Sequence, residues 1–151
     1  YLESRKGRVT RTYKAPDGEL FPEELVAEAD RVRLAALAVT DHDIVSGVAP
    51  ARAAAHDLDL ELIAGIEFSS NLDGHEIHIL GLFVDENNGG LNECARQSRR
   101  FRHKRAGEIV DLLNNLGIGI ELADIEAVAG SGSIGRPHIA SVLVDHGTTV
   151  T

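Results

Sequence analysis

The chain has a single cysteine, Cys94, which excludes an internal disulfide, and it has neither Met nor Trp. Aromatic residues make up only 4% of it, so any core must be built from Leu, Ile, Val and Ala. No apolar run approaches the roughly 20 residues that a membrane-spanning helix needs, and no stretch has the organisation of a secretory signal. These absences, with the lone thiol, set the expectation of a cytoplasmic protein without a membrane partner. The formal net charge of −9 argues against general binding to double-stranded DNA, whose backbone selects basic surfaces.

What is present is a 151-residue chain with 43% hydrophobic content, enough for one ordinary core. Its basic residues cluster in two places. Arg5, Lys6, Arg8, Arg11 and Lys14 lie near the start, and a second group runs from Arg96 to Arg105. The remainder is acidic, as suits a protein that gathers divalent cations. Residues 1–16 show no sustained apolar period and form an atypical basic segment. Asp17-Gly18 is a turn signal. Pro22, Glu23 and Glu24 then suit the first turn of a helix over about 22–32, with Leu25, Val26, Ala29 and Val32 as its apolar stripe.

Leu34 to Thr40 is a nearly unbroken apolar run, which predicts a strand buried on both faces. An Ala-rich helix follows near Val48 to Asp57. A second buried strand spans Leu60 to Phe68, and a third strand spans Glu76 to Val84 after the turn Asn71-Leu72-Asp73-Gly74. Helix alternating with strand predicts an α/β fold with a mainly parallel sheet. Beyond the break at Asp85 to Gly90 the pattern is helical. A long helix runs from about Leu91 to Leu116, with Ile109, Leu112, Leu113 and Leu116 on one face. A shorter helix lies near Leu122 to Val128, and a last one opens at Pro137.

Polar residues at the carboxyl ends of strands are where parallel α/β folds build their sites. Asp41, His42 and Asp43 follow the first strand, Glu67 lies on the second and His78 on the third. Any one of them alone is explained by a structural hydrogen bond. The set converging on one sheet end points to a metal, because a strand between apolar neighbours such as Ile77 and Ile79 has little reason to carry an unpaired His. Imidazole and carboxylate donors without thiolate suit Mn, Zn, Fe or Mg.

The ordered stretches Asp17-Gly18, Thr40-Asp41-His42-Asp43, Gly65-Ile66-Glu67-Phe68-Ser69, His78-Ile79-Leu80-Gly81 and Gly135-Arg136-Pro137-His138-Ile139-Ala140 resemble the motifs of the PHP (polymerase and histidinol phosphatase) family. The likeness is to its bacterial branch acting on nucleotides and short RNA. The resemblance implies a distorted, TIM-like β/α barrel with a helical insertion, and a hydrolase using up to three divalent ions to activate water against a phosphate ester. Residues 17–88 would form the first half of the barrel and 89–151 the insertion. Glu67 would bridge two ions, His78 would bind one of them, and Asp17 and His42 would hold a third. Asp41, His42 and Glu67 are the implied catalytic set. Arg136 and His138 would meet substrate phosphate, and Arg102, in the basic stripe with Arg99 and Arg105, is the candidate there for guiding a polyanion. The implied partner is a phosphorylated small molecule, a nucleotide or a short RNA.

The chain departs from that pattern at its start, where the family carries Asp-Leu-His-x-His. Here Arg8, Val9, Thr10, Arg11 and Thr12 occupy those positions, and Thr10 and Thr12 replace both histidines. The second barrel half has no counterpart before Thr151, which sets the expectation of a truncated product with an incomplete site. The rival reading is an inactive PHP-like module kept for binding. Gly130 to Gly135 matches G-x-G-x-x-G in letters but follows a helix, which excludes a dinucleotide fingerprint. His56, His75, His103 and His146 are expected outside any site, and Cys94 has no catalytic partner.

Overall fold

The computed structural model describes residues 21–148, together with the backbone of two short strands at 2–4 and 7–11. Asp17 and Thr12 therefore lie outside the described residues, and of Thr10 only the backbone is described. The elements run β1 Leu2–Ser4, β2 Gly7–Arg11, α1 Pro22–Arg31, β3 Leu34–Val39, α2 Val48–Ala54, β4 Glu61–Leu72, β5 His75–Leu82, α3 Gly89–Asn115, α4 Leu122–Ala129 and α5 Arg136–Asp145. They form two compact units, Tyr1–Glu93 and Cys94–Thr151.

In the first unit one sheet has the order β2-β1-β3-β4-β5. Helix α1 starts with Pro22 at a position that needs no N–H donor. Glu24 reaches back so that its Oε2 accepts from the Phe21 N–H at 3.0 Å. Val26 and Ala29 turn inward, whereas Val32, expected on the same stripe, is 41% exposed because the helix ends before it. Helix α1 packs on α2 and β3, and α2 packs on β4. The core between them comprises Leu37 and Val39 of β3, Val48 and Ala51 of α2, and Ile66 of β4.

Two expectations are corrected. The sheet is not mainly parallel: β3 and β4 pair in parallel, but β1 with β2, β1 with β3, and β4 with β5 are antiparallel. For β4 and β5 the reason lies in the turn at Asn71 to Gly74. Asp73 and Gly74 both take left-handed φ, 52° and 83°, and the Gly74 N–H donates to Asn71 Oδ1 at 3.0 Å. A turn this short joins only antiparallel neighbours. The segment 1–16, in which no regular structure was expected, contributes two strands whose backbone pairing, Leu2 with Leu37 for instance, extends the sheet beyond β3. Five residues of mixed polarity carry too little period to betray a strand. Among the described residues these strands form an open sheet, not a closed barrel.

The second unit packs the remainder of α3 against α4 and α5. Its core holds Ala106, Val110, Ile120, Ile125, Ile139 and Val142. Ile125 is fully buried, which contributes on the order of 1.5–3 kcal/mol. The inward face of α3 matches the expected one in part: Ile109 and Leu113 pack against this core. Ala95, Arg102, Ala106 and Val110 are buried, while Leu112 and Leu116 are 64% and 77% exposed. The four buried residues recur at spacings of seven, four and four, the period of one helix face.

Candidate metal centre

The centre is set by strand register. Ala36 pairs with Glu61 and Val39 with Ala64, and the same offset continues past the end of β3 to an isolated parallel bridge between His42 and Glu67. Glu67 donates its N–H to the Asp41 carbonyl at 3.1 Å, and Asp43 donates its own to the Glu67 carbonyl at 3.0 Å. His42 is thus held between two backbone bonds to one residue of β4. On β4, Glu67 and Ser69 share a face by the two-residue period of a strand. Ser69 stands opposite His78 on β5, which brings His78 to that face, diagonal to Glu67.

The donor atoms of His42, Glu67 and His78 all lie within 4.8 Å of one another. Glu67 Oε1 is 2.8 Å from Nδ1 of His78, and Oε2 is 3.8 Å from Nε2 of His42. The two imidazole rings meet edge-on, with centroids 5.0 Å apart. His42 Nδ1 is buried and has no hydrogen-bond partner. An orphaned buried nitrogen costs about 1–3 kcal/mol unless something satisfies it. A carboxylate between two imidazoles, with one ring nitrogen unpaired, is a donor set that fits a divalent cation such as Zn, Mn or Fe. Glu76, two residues before His78 on the same face, places Oε1 3.9 Å from His78 Nε2. No role was expected for it, although the two-residue spacing from His78 was a signal.

Two glycines make the approach of the strands possible. A Cβ on Gly65 would fall 2.7 Å from Thr40 Cγ2 and 3.0 Å from the carbonyl oxygens of both Val39 and Gly81. A Cβ on Gly47 would fall 2.5 Å from Asp41 Oδ2, so the exposed Asp41 carboxylate rests over the start of α2.

Arg102, Arg136 and His138 belong to the second unit. Arg102 is only 9% exposed and donates from Nη1 to the Ile134 carbonyl at 3.3 Å. Arg136 is exposed at the first position of α5. His138 Nδ1 accepts from the Gly135 N–H at 2.9 Å, so the neutral ring carries its proton on Nε2. Three of the remaining histidines face carboxylates: His56 on Asp57, His103 on Glu126 and His146 on Asp124. Among the described residues no helix is long and apolar enough to cross a membrane.

Comparisons with known proteins show the family. A family model described as the PHP domain matches residues 8–124. A 5'-3' exoribonuclease of Haemophilus influenzae is 38% identical over 133 residues, covering 88% of this chain and 48% of that protein. A 3',5'-nucleoside bisphosphate phosphatase of Chromobacterium violaceum is 33% identical over 135 residues, covering 89% and 47%. A crystal structure from Bifidobacterium adolescentis, assigned as a metal-dependent phosphoesterase, superposes with a TM-score of 0.78 at 30% identity, covering 88% of this chain and 47% of that one. The chain spans about half the length of the relatives it matches.

Proposed function

This chain belongs to the PHP domain family, and on that premise we propose that it is a metal-dependent phosphoesterase, or the N-terminal part of one, acting on nucleotides or short RNA. The observation that carries the proposal is the convergence of His42, Glu67 and His78 on one face of the sheet. The family's enzymes named above cleave phosphate esters of RNA and of nucleoside bisphosphates, which supplies the substrate class. A bound divalent cation supplies Lewis acidity and lowers the pKa of a coordinated water toward neutrality.

The chain's own residues do the rest. Glu67 offers one oxygen toward each histidine and is the group able to bridge two ions. The parallel bridge fixes His42, and the hairpin fixes His78, before any ion arrives. Asp41, an exposed carboxylate adjoining His42, is the candidate to take a proton from the attacking water. Arg136 and the Nε2–H of His138 are candidate donors to phosphate oxygens, through a guanidinium fork and a single N–H respectively. Arg102 is a weaker candidate for that role, being buried against the Ile134 carbonyl. Asp17 is carried as a ligand of a third ion by resemblance alone. The architecture proposed with this reading is the first half of a β/α barrel over 17–88 and a helical insertion over 89–151.

Thr10 and Thr12, standing where the family has histidines, favour a second reading, an inactive module that keeps the metal or the fold for binding. Elemental analysis of the purified chain, with phosphate release from a nucleoside 3',5'-bisphosphate and a 5'-phosphorylated oligoribonucleotide in Mn(II), separates the two. Bound metal and turnover, both lost in Glu67→Ala, are expected for the enzyme. Metal without turnover selects the binding module, and a chain that takes up no metal refutes the enzyme.

A further inference from the structure

Asp43 is the one acidic side chain among the described residues that is completely buried, at 0% exposure. It follows His42 directly and has no part in the chemistry proposed above. Its backbone is left-handed, with φ 57°, a conformation that Asp and Asn tolerate better than other residues with a side chain. The chain leaves the strand direction there, so His42 is the last residue in register with β4. Asp43 touches β4 twice. Its N–H donates to the Glu67 carbonyl at 3.0 Å, and its Oδ1 accepts from the Ser69 N–H at 3.4 Å. Those two backbone groups flank Phe68 and belong to the residues on either side of it. One is the bridging carboxylate's own residue, and the other is the residue paired with His78.

We propose that Asp43 is a positioning residue: it clasps the Glu67–Ser69 segment of β4 from beneath and so fixes the relative placement of His42, Glu67 and His78. The proposal rests on the metal-centre reading. The left-handed turn sends the main chain away while the carboxylate reaches back to Ser69, so one residue both ends the pairing and locks it. A buried carboxylate is costly unless its oxygens are satisfied, and Oδ1 takes one of its bonds from the strand that carries the ligand. Loss of the oxygen at this position frees the Ser69 amide, while the ligands themselves remain. Outer partners of this kind typically change metal affinity by about 10–100-fold.

The test uses the full chain, Co(II) as the probe, and two substitutions that both tolerate left-handed φ. Asp43→Asn keeps an oxygen for Ser69, and Asp43→Gly does not. Co(II) affinity and absorption are measured alongside thermal unfolding and amide exchange of the metal-free chain. Asp43→Gly is expected to weaken Co(II) binding by about 10–100-fold, alter the Co(II) spectrum and speed exchange at Ser69 while unfolding remains cooperative. Asp43→Asn is expected to stay close to wild type in all of these. A glycine variant that binds Co(II) as tightly as wild type, with an unchanged spectrum, overturns the proposal. So does an asparagine variant as weak as the glycine one, since that would make the charge decisive. If the glycine variant fails to fold, the asparagine variant decides alone, and fast exchange at Ser69 in it overturns the proposal. A wild-type chain that binds no Co(II) removes the centre itself. That failure is told apart by the absence of binding in every variant, and it reduces Asp43 to a structural residue.

Discussion

Glu67 Oε1 and His78 Nδ1 face each other at 2.8 Å across the β4–β5 hairpin, although their residues are not register partners. The contact is diagonal. Glu67 pairs with Leu80 and His78 with Ser69, and the right-handed twist of an antiparallel ribbon brings such diagonal side chains together. The hairpin thus delivers two of the three donors without help from any loop.

Removal of His78 is expected to abolish stoichiometric metal binding, whereas His56→Ala, which loses only an exposed contact to Asp57, is expected to leave it intact. Elemental analysis after dialysis against Mn(II) or Zn(II) reads both. Equal metal content in the two variants would refute His78 as a ligand.

Gly65→Ala places a methyl against two backbone carbonyl oxygens and Thr40. The backbone atoms cannot rotate aside, so a loss of about 1–3 kcal/mol in denaturant unfolding is expected, as for overpacking. Because Gly65 lies two residues before Glu67 on the same face of β4, metal affinity is expected to fall with it. Unchanged stability would show that β3 and β5 can separate at no cost.

Asn114, near the end of α3, makes two reciprocal bonds with Ile120: Nδ2 donates to its carbonyl at 3.0 Å, and Oδ1 accepts from its N–H at 3.1 Å. This amide closes the turn into α4 as a second strand would. Asn114→Ala removes the side-chain donor to the carbonyl of the buried Ile120, whose N–H keeps the Ile118 carbonyl at 3.1 Å, and a loss of about 1–3 kcal/mol is expected. Thermal or urea unfolding measures it, and Asn114→Asp, which keeps only the acceptor, is expected to fall between.

Arg52 forms a two-bonded pair with Glu86, its Nη2 lying 3.1 Å from Oε2. The hydrogen bond from Arg52 holds the Glu86 carboxyl below its ordinary value of 4.5, so the folded chain binds that proton less tightly than the unfolded one. The pair's contribution is therefore full above the ordinary glutamate range and is lost as pH falls through the lowered value. With the Arg52 side chain 50% exposed, solvent limits it to about 0–1 kcal/mol. Glu86→Gln is expected to lower the melting temperature by about 4 °C at most at pH 7 and by nothing at a pH where Glu86 is protonated. A difference that persists in acid would assign the effect to packing.

Much of this was legible in the sequence because the signals were local. Pro22 with Glu23 and Glu24 marked the start of α1, and the run from Leu34 marked β3. Thr40 to Asp43, Glu67 and His78 pointed to a metal by chemical type, and of these the structure groups His42, Glu67 and His78. The strand directions were less legible. The turn at Asn71 to Gly74 was visible, but its consequence for sheet direction was overridden by the expectation of βα units. Arg102 read as part of a basic stripe that guides a polyanion because charge alone does not show which helix face packs inward. The exposure of β5 was hidden for a related reason. Ile77, Ile79 and Leu82 are apolar, yet they are 36%, 52% and 45% exposed on β5, the edge strand of the sheet, whereas α1 packs on β3 and α2 on β4.

The β4–β5 hairpin also dictates an order of assembly. Glu67 and His78 are joined by a connection short enough to close within microseconds, whereas His42 reaches Glu67 only after α2 has crossed between two parallel strands, a contact of greater sequence separation. Two of the three candidate donors are products of hairpin zippering, and the third waits for the crossover to dock. In pulse-labelled exchange during refolding, the amides at Phe68 and Ile79 are expected to gain protection before the Asp43 and Glu67 amides that close the His42 bridge. Simultaneous protection would indicate that the hairpin does not form ahead of the crossover.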